Sequence, residues 1–528
     1  MQSEKALRID RALVLFLLLW AGTLHVAGYL SAGALWRDEA NSIQQARLPS
    51  WGSVWHSLQY DSFPALYPSV LRIWSSHEWT AADRGLRTFG LLVGLALLAA
   101  IYIVARVLGA ARPTTVLVLL AGNAVLVSEG DSIRPYGTGL LFLVCAYGFM
   151  GRSVVRPSHA TLALAAISCV LAVQTSYANA LSVGAICLCA AGVSFARGER
   201  RRLWRFLVPG FIAAVSLLPY AGALRRAGAW TVILKERADW MLLVDRLGQY
   251  HSLLPALAWL GFAALAGTRL LAAARSGTAG PAPRDPLFGY KLWVFLLSLA
   301  AQVAFVEAAG IAPFPRYFLP PVLFAAFAIE AALEDWKSGL RPAAIAAAFL
   351  LTAWPAWSWM RLRHTNVDEV AVVLAQRALA RDLVVVSPWF LHPSFQRYYR
   401  GPCDWITVPA IERRPMMRYD LIKAAMLEPD SASDAAPRVR AALEHGGTIW
   451  FVSQRRWSDF ARAEAPAPPE IPRAPGGTDY ARFRSYWERD IEHRLRDCCG
   501  APEIPALPAG GVWEEEDLIL SGWRQKRD

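Results

Sequence analysis

The chain has 528 residues, of which 55% are hydrophobic and only 18% are charged, and its formal net charge is +12. A soluble chain carries about 25% charged residues, so this composition excludes an ordinary soluble protein and indicates a polytopic membrane protein. The basic residues lie in short connections between apolar runs, with every second connection basic, which is the pattern of the positive-inside rule. The positive charge therefore indicates how the chain is oriented in the membrane, and no nucleic-acid partner is expected.

The first apolar run extends from Ala12 to Trp36 without a charged residue. This length crosses a bilayer, which needs about 20 apolar residues. Lys5, Arg8 and Arg11 precede the run. A signal peptide has an apolar core of only about 7–15 residues, so the run is predicted to be a retained first transmembrane helix.

Apolar segments repeat along the first 360 residues and predict about eleven transmembrane helices. With a cytoplasmic N-terminus, an odd number of spans places everything after residue 361 on the external side. The basic connections then all fall inside. The segments lie near 12–35, 86–109, 114–128, 137–151, 160–176, 178–196, 206–222, 252–272, 289–309, 317–333 and 343–360.

The first external connection, residues 36–84, is long and is predicted to carry two helices in the membrane interface. Apolar residues recur there at helical spacing, and tryptophans lie on the apolar faces. Amphipathic helices of this kind lie flat at the bilayer surface. The two faces are formed by Trp51, Val54, Trp55 and Leu58, and by Leu66, Val70, Ile73 and Trp74.

From residue 361 the composition becomes that of a soluble domain, and strands alternate with helices. This order predicts a small α/β domain at 361–528, on the same external side as the loop 36–84, after a membrane module at 1–360. The predicted strands are 382–387, 405–410, 448–453 and 517–522, the predicted helices include 367–380 and 435–446, and a proline-rich loop covers 464–477.

Three cysteines lie in this predicted external domain, and their pairing is open at the level of sequence. Cys403 can form a disulfide with Cys498 or Cys499, because an external domain is exposed to oxidising conditions. Unpaired thiols are the equal alternative, since sequence gives no distances.

Two acidic residues, Asp38 and Glu39, follow the first span where it leaves the membrane. Ionisable groups at membrane depth are costly and are functional candidates by default. Arg316 is placed at the outer edge of a later span. We therefore expect carboxylates and arginines from several loops to converge on one external pocket at membrane level. The other loops that contribute are YDSFPALY at 60–67, IRPY at 133–136 and PFPRYFLPP at 313–321.

These motifs, taken in order, resemble the membrane glycosyltransferases of the GT-C superfamily, which use sugars linked to a polyprenyl phosphate. The protein O-mannosyltransferase-like and aminoarabinose-transferase-like branches are the most similar. The resemblance covers most of residues 1–400, and the series is fairly specific. Its motifs are WRDEA at 36–40, DSFPALY at 61–67, IRPY at 133–136, TSYANAL at 175–181, PYAGALRRAGAW at 219–230, PRYFLPP at 315–321 and RDLVVVSPWFLHPSFQRYYRG at 381–401.

The resemblance implies a role for each matching residue. Asp38 would be the base that deprotonates the acceptor hydroxyl, and Glu39 would orient it or bind the acceptor. A guanidinium would stabilise the leaving polyprenyl phosphate, and single displacement would invert the anomeric centre. The candidates for the donor phosphate are Arg316, Arg134, Tyr317 and Arg237, and those for the acceptor are Asp61, Asp131 and Tyr136.

The resemblance also implies the partners and the location. The donor is a polyprenyl-phosphate-linked sugar, and the acceptor is a glycan, a glycolipid or a protein. The enzyme is expected to contact membrane lipids in the bacterial inner membrane, with its active site on the periplasmic side. No certain cofactor follows; a divalent cation is possible, and no metal ligand is assigned.

The chain departs from the family pattern at three places. Relatives often have His-Pro-Pro where it has FPA at 63–65, and Thr-His-Tyr where it has TSY at 175–177. They also often have a glutamate where it has Ser132, for which Asp131 is a substitute. These departures affect the acceptor assignment and any metal site, but not Asp38.

Two other classes of function are compatible with a polytopic chain. A lipid flippase or transporter predicts charges near the bilayer midplane and paired repeats with broken helices. Here the charges gather at the outer ends and the sequence shows no repeat, which favours the enzyme. A receptor with a ligand-binding C-terminal domain would not require Asp38, Glu39 and Arg316 on one face.

Overall fold

The protein is an apolar helical bundle of the polytopic membrane type, followed by a small mixed sheet flanked by helices. Its structure is a computed structural model. The described residues are all except 1, 201–202, 276–284, 335, 337–339, 412–414, 456–466, 509 and 527–528, and the side chains of 2–8 and 273–275 are not described either. Several predicted basic connections and the first residues of the proline-rich loop lie outside the described residues.

The bundle and its connections contain eighteen described helices. They are α1 (Gln2–Ser31), α2 (Arg37–Ala46), α3 (Trp51–Ser57), α4 (Leu66–Trp74), α5 (Glu78–Ala81), α6 (Asp83–Val107), α7 (Thr114–Ala121), α8 (Ala124–Asp131), α9 (Pro135–Val155), α10 (His159–Thr175), α11 (Asn179–Ala196), α12 (Leu203–Val215), α13 (Ala221–Thr231), α14 (Trp240–Gln249), α15 (Leu253–Arg275), α16 (Phe288–Ala309), α17 (Leu319–Leu333) and α18 (Arg341–Met360).

Among the described residues, nine helical segments are long and apolar enough to cross a membrane, and up to ten if α7 and α8 form one span. The prediction of about eleven spans exceeds this number, because the segment 160–176 forms α10, which has only 17 residues. Such a helix is at the short end of what spans a bilayer. The chain is therefore a multi-pass membrane protein.

The break between α7 and α8 bends the chain by 71°. Gly122 ends α7, and the side chain of Asn123 accepts the N–H of Leu126 and so begins α8. Gly94 of α6 lies so close to Asp131 at the end of α8 that a Cβ atom there would clash with the carboxylate. The break carries the chain into the charged segment 129–134.

The loop between α1 and α6 contains α3 and α4 at the positions predicted for the two interfacial helices. Val54 and Leu58 are buried, whereas the indoles of Trp51 and Trp55 are about half exposed, at 53% and 49%. Their location in the membrane interface stays a prediction. The loop also contains α2, a helix that the hydrophobic pattern did not predict.

The C-terminal region contains a four-stranded sheet in the order β2-β1-β3-β4. β1 pairs in parallel with β2 and β3, and β4 pairs antiparallel with β3. The four strands overlap those predicted from sequence, and α19 and α22 overlap the two predicted helices. The elements are α19 (Val367–Arg377), β1 (Leu383–Val386), α20 (His392–Tyr398), β2 (Asp404–Thr407), α21 (Tyr419–Ala425), α22 (Ala436–Glu444), β3 (Ile449–Gln454), α23 (Gly477–Cys498) and β4 (Leu518–Trp523).

The cysteines of this region are free thiols. The sulfur of Cys403 lies 2.9 Å from the Tyr399 hydroxyl, and the sulfurs of Cys498 and Cys499 lie 3.2 Å apart. Of the two alternatives left open by the sequence, the structure has the unpaired thiols.

Helix α2 lies between the bundle and the C-terminal region. The Gln44 side chain donates to the carbonyl of Pro393 at 2.8 Å, and Asn41 accepts the N–H of Met417 at 2.7 Å. The segment before α2 is also attached, since the N–H of His364 donates to the carbonyl of Ala32. Both acidic residues of the predicted site are on this helix.

Candidate active site

Helix α2 begins in a way that separates its two carboxylates. Trp36 is the N-cap with extended backbone, and Glu39 bends back to accept the Trp36 N–H at 3.4 Å. Acidic side chains in the first turn also favour the positive end of the helix dipole. The Glu39 side chain therefore points toward Arg87 of α6. The Asp38 side chain, one residue earlier, points in a different direction and lies beside Arg134.

Glu39 is fully buried and fully engaged. It accepts from Arg87 Nη1 at 2.6 Å and from the Ile133 N–H at 3.0 Å, and His364 Nδ1 lies 3.7 Å away. Burial by itself raises the pKa of Glu39, but Arg87 and His364 outweigh it and hold the pKa at about 2. This carboxylate ties α2 to α6 and to the segment before α9, and its geometry favours a structural role over proton transfer.

Asp38 is in a different environment, with its side chain 21% exposed. Its nearest cationic atoms are Arg134 Nη2 at 3.8 Å and Arg37 Nε at 3.9 Å. Within the described part of the chain, no donor lies within hydrogen-bonding distance of its carboxylate. Asp38 is thus oriented by charge, and its oxygens stay available to accept a proton.

Arg134 directly precedes α9, whose first residue is Pro135. Its Nη1 donates to the Asp38 carbonyl at 3.2 Å and to the Ser42 hydroxyl at 3.1 Å. The guanidinium also lies 4.9 Å from the ring centre of Phe63. Phe63 is therefore an aromatic support for this arginine.

Arg316 lies at the start of the segment that leads into α17, and its guanidinium is surrounded by aromatic rings. The ring centres of Phe314, Tyr317 and Tyr136 lie at 4.3, 5.5 and 5.8 Å. Its Nε is buried without a hydrogen-bond partner. No described carboxylate lies within 4 Å of it. A cation enclosed by aromatic rings and not in direct contact with a carboxylate is a site that favours an anion.

Two residues that were not predicted from the sequence, Glu129 and Tyr250, interact with these charged groups. Glu129 is buried at the end of α8, and its Oε1 accepts from the Tyr250 hydroxyl at 3.1 Å. Glu129 interacts electrostatically with Arg316, Arg134 and Asp38, so the charges of all three groups are coupled to it. The signal was present, since Glu129 directly follows the apolar segment predicted at 114–128.

The remaining predicted residues divide into two groups. Tyr136 lies between Arg316 and Phe63, with ring centres of Tyr136 and Phe63 5.7 Å apart. Asp61 interacts electrostatically with Arg134 and Asp38, and burial raises its pKa against the effect of Arg134. Asp61 and Tyr136 therefore belong to the cluster.

Asp131 and Arg237 are placed elsewhere. Asp131 Oδ1 lies 2.7 Å from His25 Nδ1 of α1, inside the bundle. Arg237 is exposed, and no described contact joins it to Asp38 or Arg316. The geometry gives no support to an acceptor role for Asp131 or a donor-phosphate role for Arg237.

The cluster offers little to a divalent cation. Its carboxylates at Asp38, Asp61 and Glu129 are accompanied by two arginines, and the described residues contain no set of three His, Cys, Asp or Glu side chains that could hold a metal ion. These donors do not fit a metal.

No protein-family model matches the sequence, and no curated protein matches it significantly. Among solved structures, the crystal structure of ArnT from Cupriavidus metallidurans in the apo state is similar to this chain. The identity is 12%, the alignment covers 99% of this chain and 98% of that chain, and the TM-score is 0.39. A likeness of this degree does not assign the chain to a family, so the functional argument rests on the geometry of the cluster.

Proposed function

We propose that the chain is an integral membrane glycosyltransferase that moves a sugar from a polyprenyl-phosphate donor to an acceptor hydroxyl. The observation that carries this proposal is that two groups interact electrostatically with the buried Glu129: Arg316, which has no described carboxylate within 4 Å, and Asp38, whose carboxylate accepts no described hydrogen bond. The first favours an anion, and the second can accept a proton.

The donor phosphate binds at Arg316. A guanidinium presents two parallel donors to phosphate oxygens and stays charged throughout the reaction. As the bond between sugar and phosphate breaks, the phosphate gains negative charge, and a cation already in place stabilises it without reorganisation. The aromatic rings of Phe314 and Tyr317 keep water away and strengthen this interaction. Arg134 contributes a second positive charge on the side of Asp38.

Asp38 acts as the general base. It takes the proton of the acceptor hydroxyl as that oxygen attacks the anomeric carbon from the face opposite the phosphate. A single displacement of this kind inverts the configuration at the sugar. Arg134 holds the backbone of Asp38, while Asp61 and Tyr136 border the space for the acceptor. Glu39, which is saturated with donors, supports the helix and takes no part in proton transfer.

The reaction is proposed for the external side of a bacterial inner membrane. The basic connections between the spans favour an external position for the end of the bundle that bears Asp38 and Arg316, together with residues 361–528. A polyprenyl-phosphate sugar has its tail in the bilayer and its phosphate at the surface, at the depth of these residues. The acceptor is a glycan, a glycolipid or a protein.

One observation favours the alternative, a lipid flippase or solute transporter. The 71° break between α7 and α8 places buried charged groups at a helix end, as discontinuous helices do in transporters. A transporter moves its substrate without forming a glycosidic bond. The two proposals therefore differ in the product.

The test is to incubate the purified protein with a panel of polyprenyl-phosphate sugars and candidate acceptors, and to follow release of the lipid phosphate. Asp38→Asn should lower the rate by about 10²–10⁴-fold, because it removes a positioned base, with donor binding retained. Asp434→Asn, at an exposed aspartate of the C-terminal region, is the matched control. Near-normal turnover by the Asp38 variant would remove this residue from the mechanism, and transport without product would favour the alternative.

A further inference from the structure

The backbone directly before Asp38 is held by side chains from distant parts of the chain. The N–H groups of residues 35–37 each donate to a side-chain oxygen. One acceptor belongs to α2 itself, and the other two come from the C-terminal region. The three bonds run from Leu35 to the Tyr398 hydroxyl at 2.6 Å, from Trp36 to Glu39 Oε2 at 3.4 Å, and from Arg37 to Glu516 Oε1 at 2.9 Å.

Glu516 accepts one of these three hydrogen bonds, from the N–H of Arg37. Its side chain is completely buried, which is costly for a carboxylate unless cations and donors surround it. Arg37 supplies both, since its backbone N–H donates to Glu516 and its Nη1 lies 3.5 Å from the same oxygen. Arg37 also pairs with Glu515 at 3.4 Å and stacks on Phe390 with 4.6 Å to the ring centre. The two carboxylates draw the Arg37 charge toward the C-terminal region.

Tyr398 is fixed on the other side of the same segment. Its hydroxyl accepts the Leu35 N–H and donates to Asp83 Oδ2, both at 2.6 Å. The neighbouring Arg397 donates to the other oxygen of Asp83 at 2.6 Å. Because the hydroxyl is bonded on both sides, it cannot turn away from the Leu35 amide without losing two hydrogen bonds.

The position of Asp38 depends on this backbone. Its carboxylate has no hydrogen bond among the described residues, so its place is set by where α2 begins. From outside the helix, Tyr398 and Glu516 fix the N–H groups of this beginning, while Arg87 and Arg134 hold carbonyls beside them. Displacements of about 1 Å in a reacting group cost about 10²-fold in rate.

We propose that Tyr398 and Glu516 are positioning residues that hold residues 35–37 and thereby place the Asp38 carboxylate against the acceptor hydroxyl. This inference rests on the proposed transferase function. It assigns to the C-terminal region a part in the reaction through the backbone of residues 35–37. Neither residue is expected to bind the donor.

The kinetic test compares Glu516→Ala with Glu516→Gln and with Tyr398→Phe. Glu516→Ala removes the acceptor of the Arg37 N–H and should lower kcat by about 10- to 100-fold, with KM for the donor unchanged. Glu516→Gln keeps a carbonyl oxygen at the same place and should recover most of the rate. Tyr398→Phe loses both bonds of the hydroxyl and should resemble the alanine variant. Glu514→Gln, at the exposed glutamate two residues away, is the control.

A second measurement detects the hydrogen bonds of residues 35–37 independently of activity. Hydrogen–deuterium exchange of peptides that cover residues 35–38 should become faster in Glu516→Ala and Tyr398→Phe, while peptides from α16 exchange as before. Unchanged exchange at 35–38 would overturn the inference. Faster exchange with unchanged kcat would also overturn it, because the contact would then be structural only.

The two proposals fail in different ways. If the unmodified protein transfers no sugar from any donor, the proposed function is wrong, and the positioning role is wrong with it. If it transfers sugar but Glu516→Ala and Tyr398→Phe keep the normal kcat, only the positioning role is wrong. Donor binding, measured on each purified variant, separates a loss of rate from a loss of folded protein.

Discussion

The charged side chains at the two ends of the helical bundle differ in how many ion pairs and hydrogen bonds they form within the protein. At the end away from Arg316, the Glu330 carboxylate is bonded by two backbone N–H groups of α7 at 2.8 and 3.0 Å and by Arg341 at 3.0 Å. Lys291 is likewise paired with Asp285 at 2.5 Å and donates to a backbone carbonyl at 3.0 Å. At the other end, Arg316 has aromatic rings around it and no described carboxylate within 4 Å.

This difference distinguishes charged groups that stabilise the fold from charged groups that can bind a ligand. A buried ion whose bonds are all satisfied within the protein has nothing left to offer a ligand, and its loss affects folding. A buried ion that lacks bonds destabilises the unliganded protein and gains from a ligand of opposite charge. The same contrast recurs between the neighbours Glu39 and Asp38, where the first is saturated and the second is not.

The largest effect on stability is expected at the satisfied end. Glu330→Ala leaves Arg341 buried without its carboxylate, and breaking such a pair costs about 3–5 kcal/mol. We expect a lower unfolding temperature in detergent, with an unchanged rate per folded molecule. Glu428→Ala, at an exposed glutamate, is the control. Normal stability together with a lower rate would contradict this, because Glu330 would then act in the reaction and not in folding.

The next effect is expected at the unsatisfied end and concerns rate. Arg316→Lys keeps the charge but loses the planar fork, so kcat/KM for the donor should fall by about 10- to 100-fold while the protein still folds. Steady-state kinetics with a lipid-phosphate sugar measures this. Arg237→Lys is the comparison, since Arg237 is exposed. If only the Arg237 variant loses activity, the phosphate is held there and not at Arg316.

The smallest effect is a dependence of stability on pH with opposite signs at two glutamates. The pKa of Glu39 is about 2 in the folded protein against an ordinary 4.5, so its stabilisation is complete above pH 4.5 and is lost as the pH falls toward 2. Burial raises the pKa of Glu516 to about 7, although Arg37 opposes it. Its protonated form therefore favours folding below pH 4.5, and this contribution is lost as the pH rises to 7.

Thermal unfolding at pH 5 and pH 7.5 measures the second of these effects. The unmodified protein should lose stability relative to Glu516→Gln between the two values, because the glutamine does not ionise. Equal changes in both proteins would show that Glu516 does not take up a proton in this range.

The elements of the fold were predictable where a local pattern determines them. The run LVVV at 383–386 is buried throughout, as a central parallel strand requires, and was recognised from its length and β-branched residues. Apolar runs likewise located the helices of the bundle. The pattern failed at α2, whose residues are mostly polar although Ala40, Ile43 and Ala46 pack in a small apolar cluster. Three short apolar residues are too weak a hydrophobic pattern to reveal such a helix.

The site was predictable only where residues lie beside a span. Asp38, Arg134 and Arg316 were found because charge at the end of an apolar run is conspicuous, and the structure brings them around Glu129. The partners of these groups were not predictable. Arg87 as the partner of Glu39 is 48 residues away, and Glu516 is 479 residues from Arg37. Nothing in the local sequence distinguishes these two residues from ordinary charged ones.

The contact between Arg37 and Glu516 has a consequence for the synthesis of the protein. Residue 37 enters the membrane early, whereas residue 516 leaves the ribosome 479 residues later. At about 5–20 residues per second, this interval lasts roughly 25–95 seconds. During this time the bundle is inserted, but the start of α2 lacks two of its three acceptors. On the proposed transferase and positioning roles, the nascent chain is therefore less active toward lipid-linked sugars until translation is almost complete.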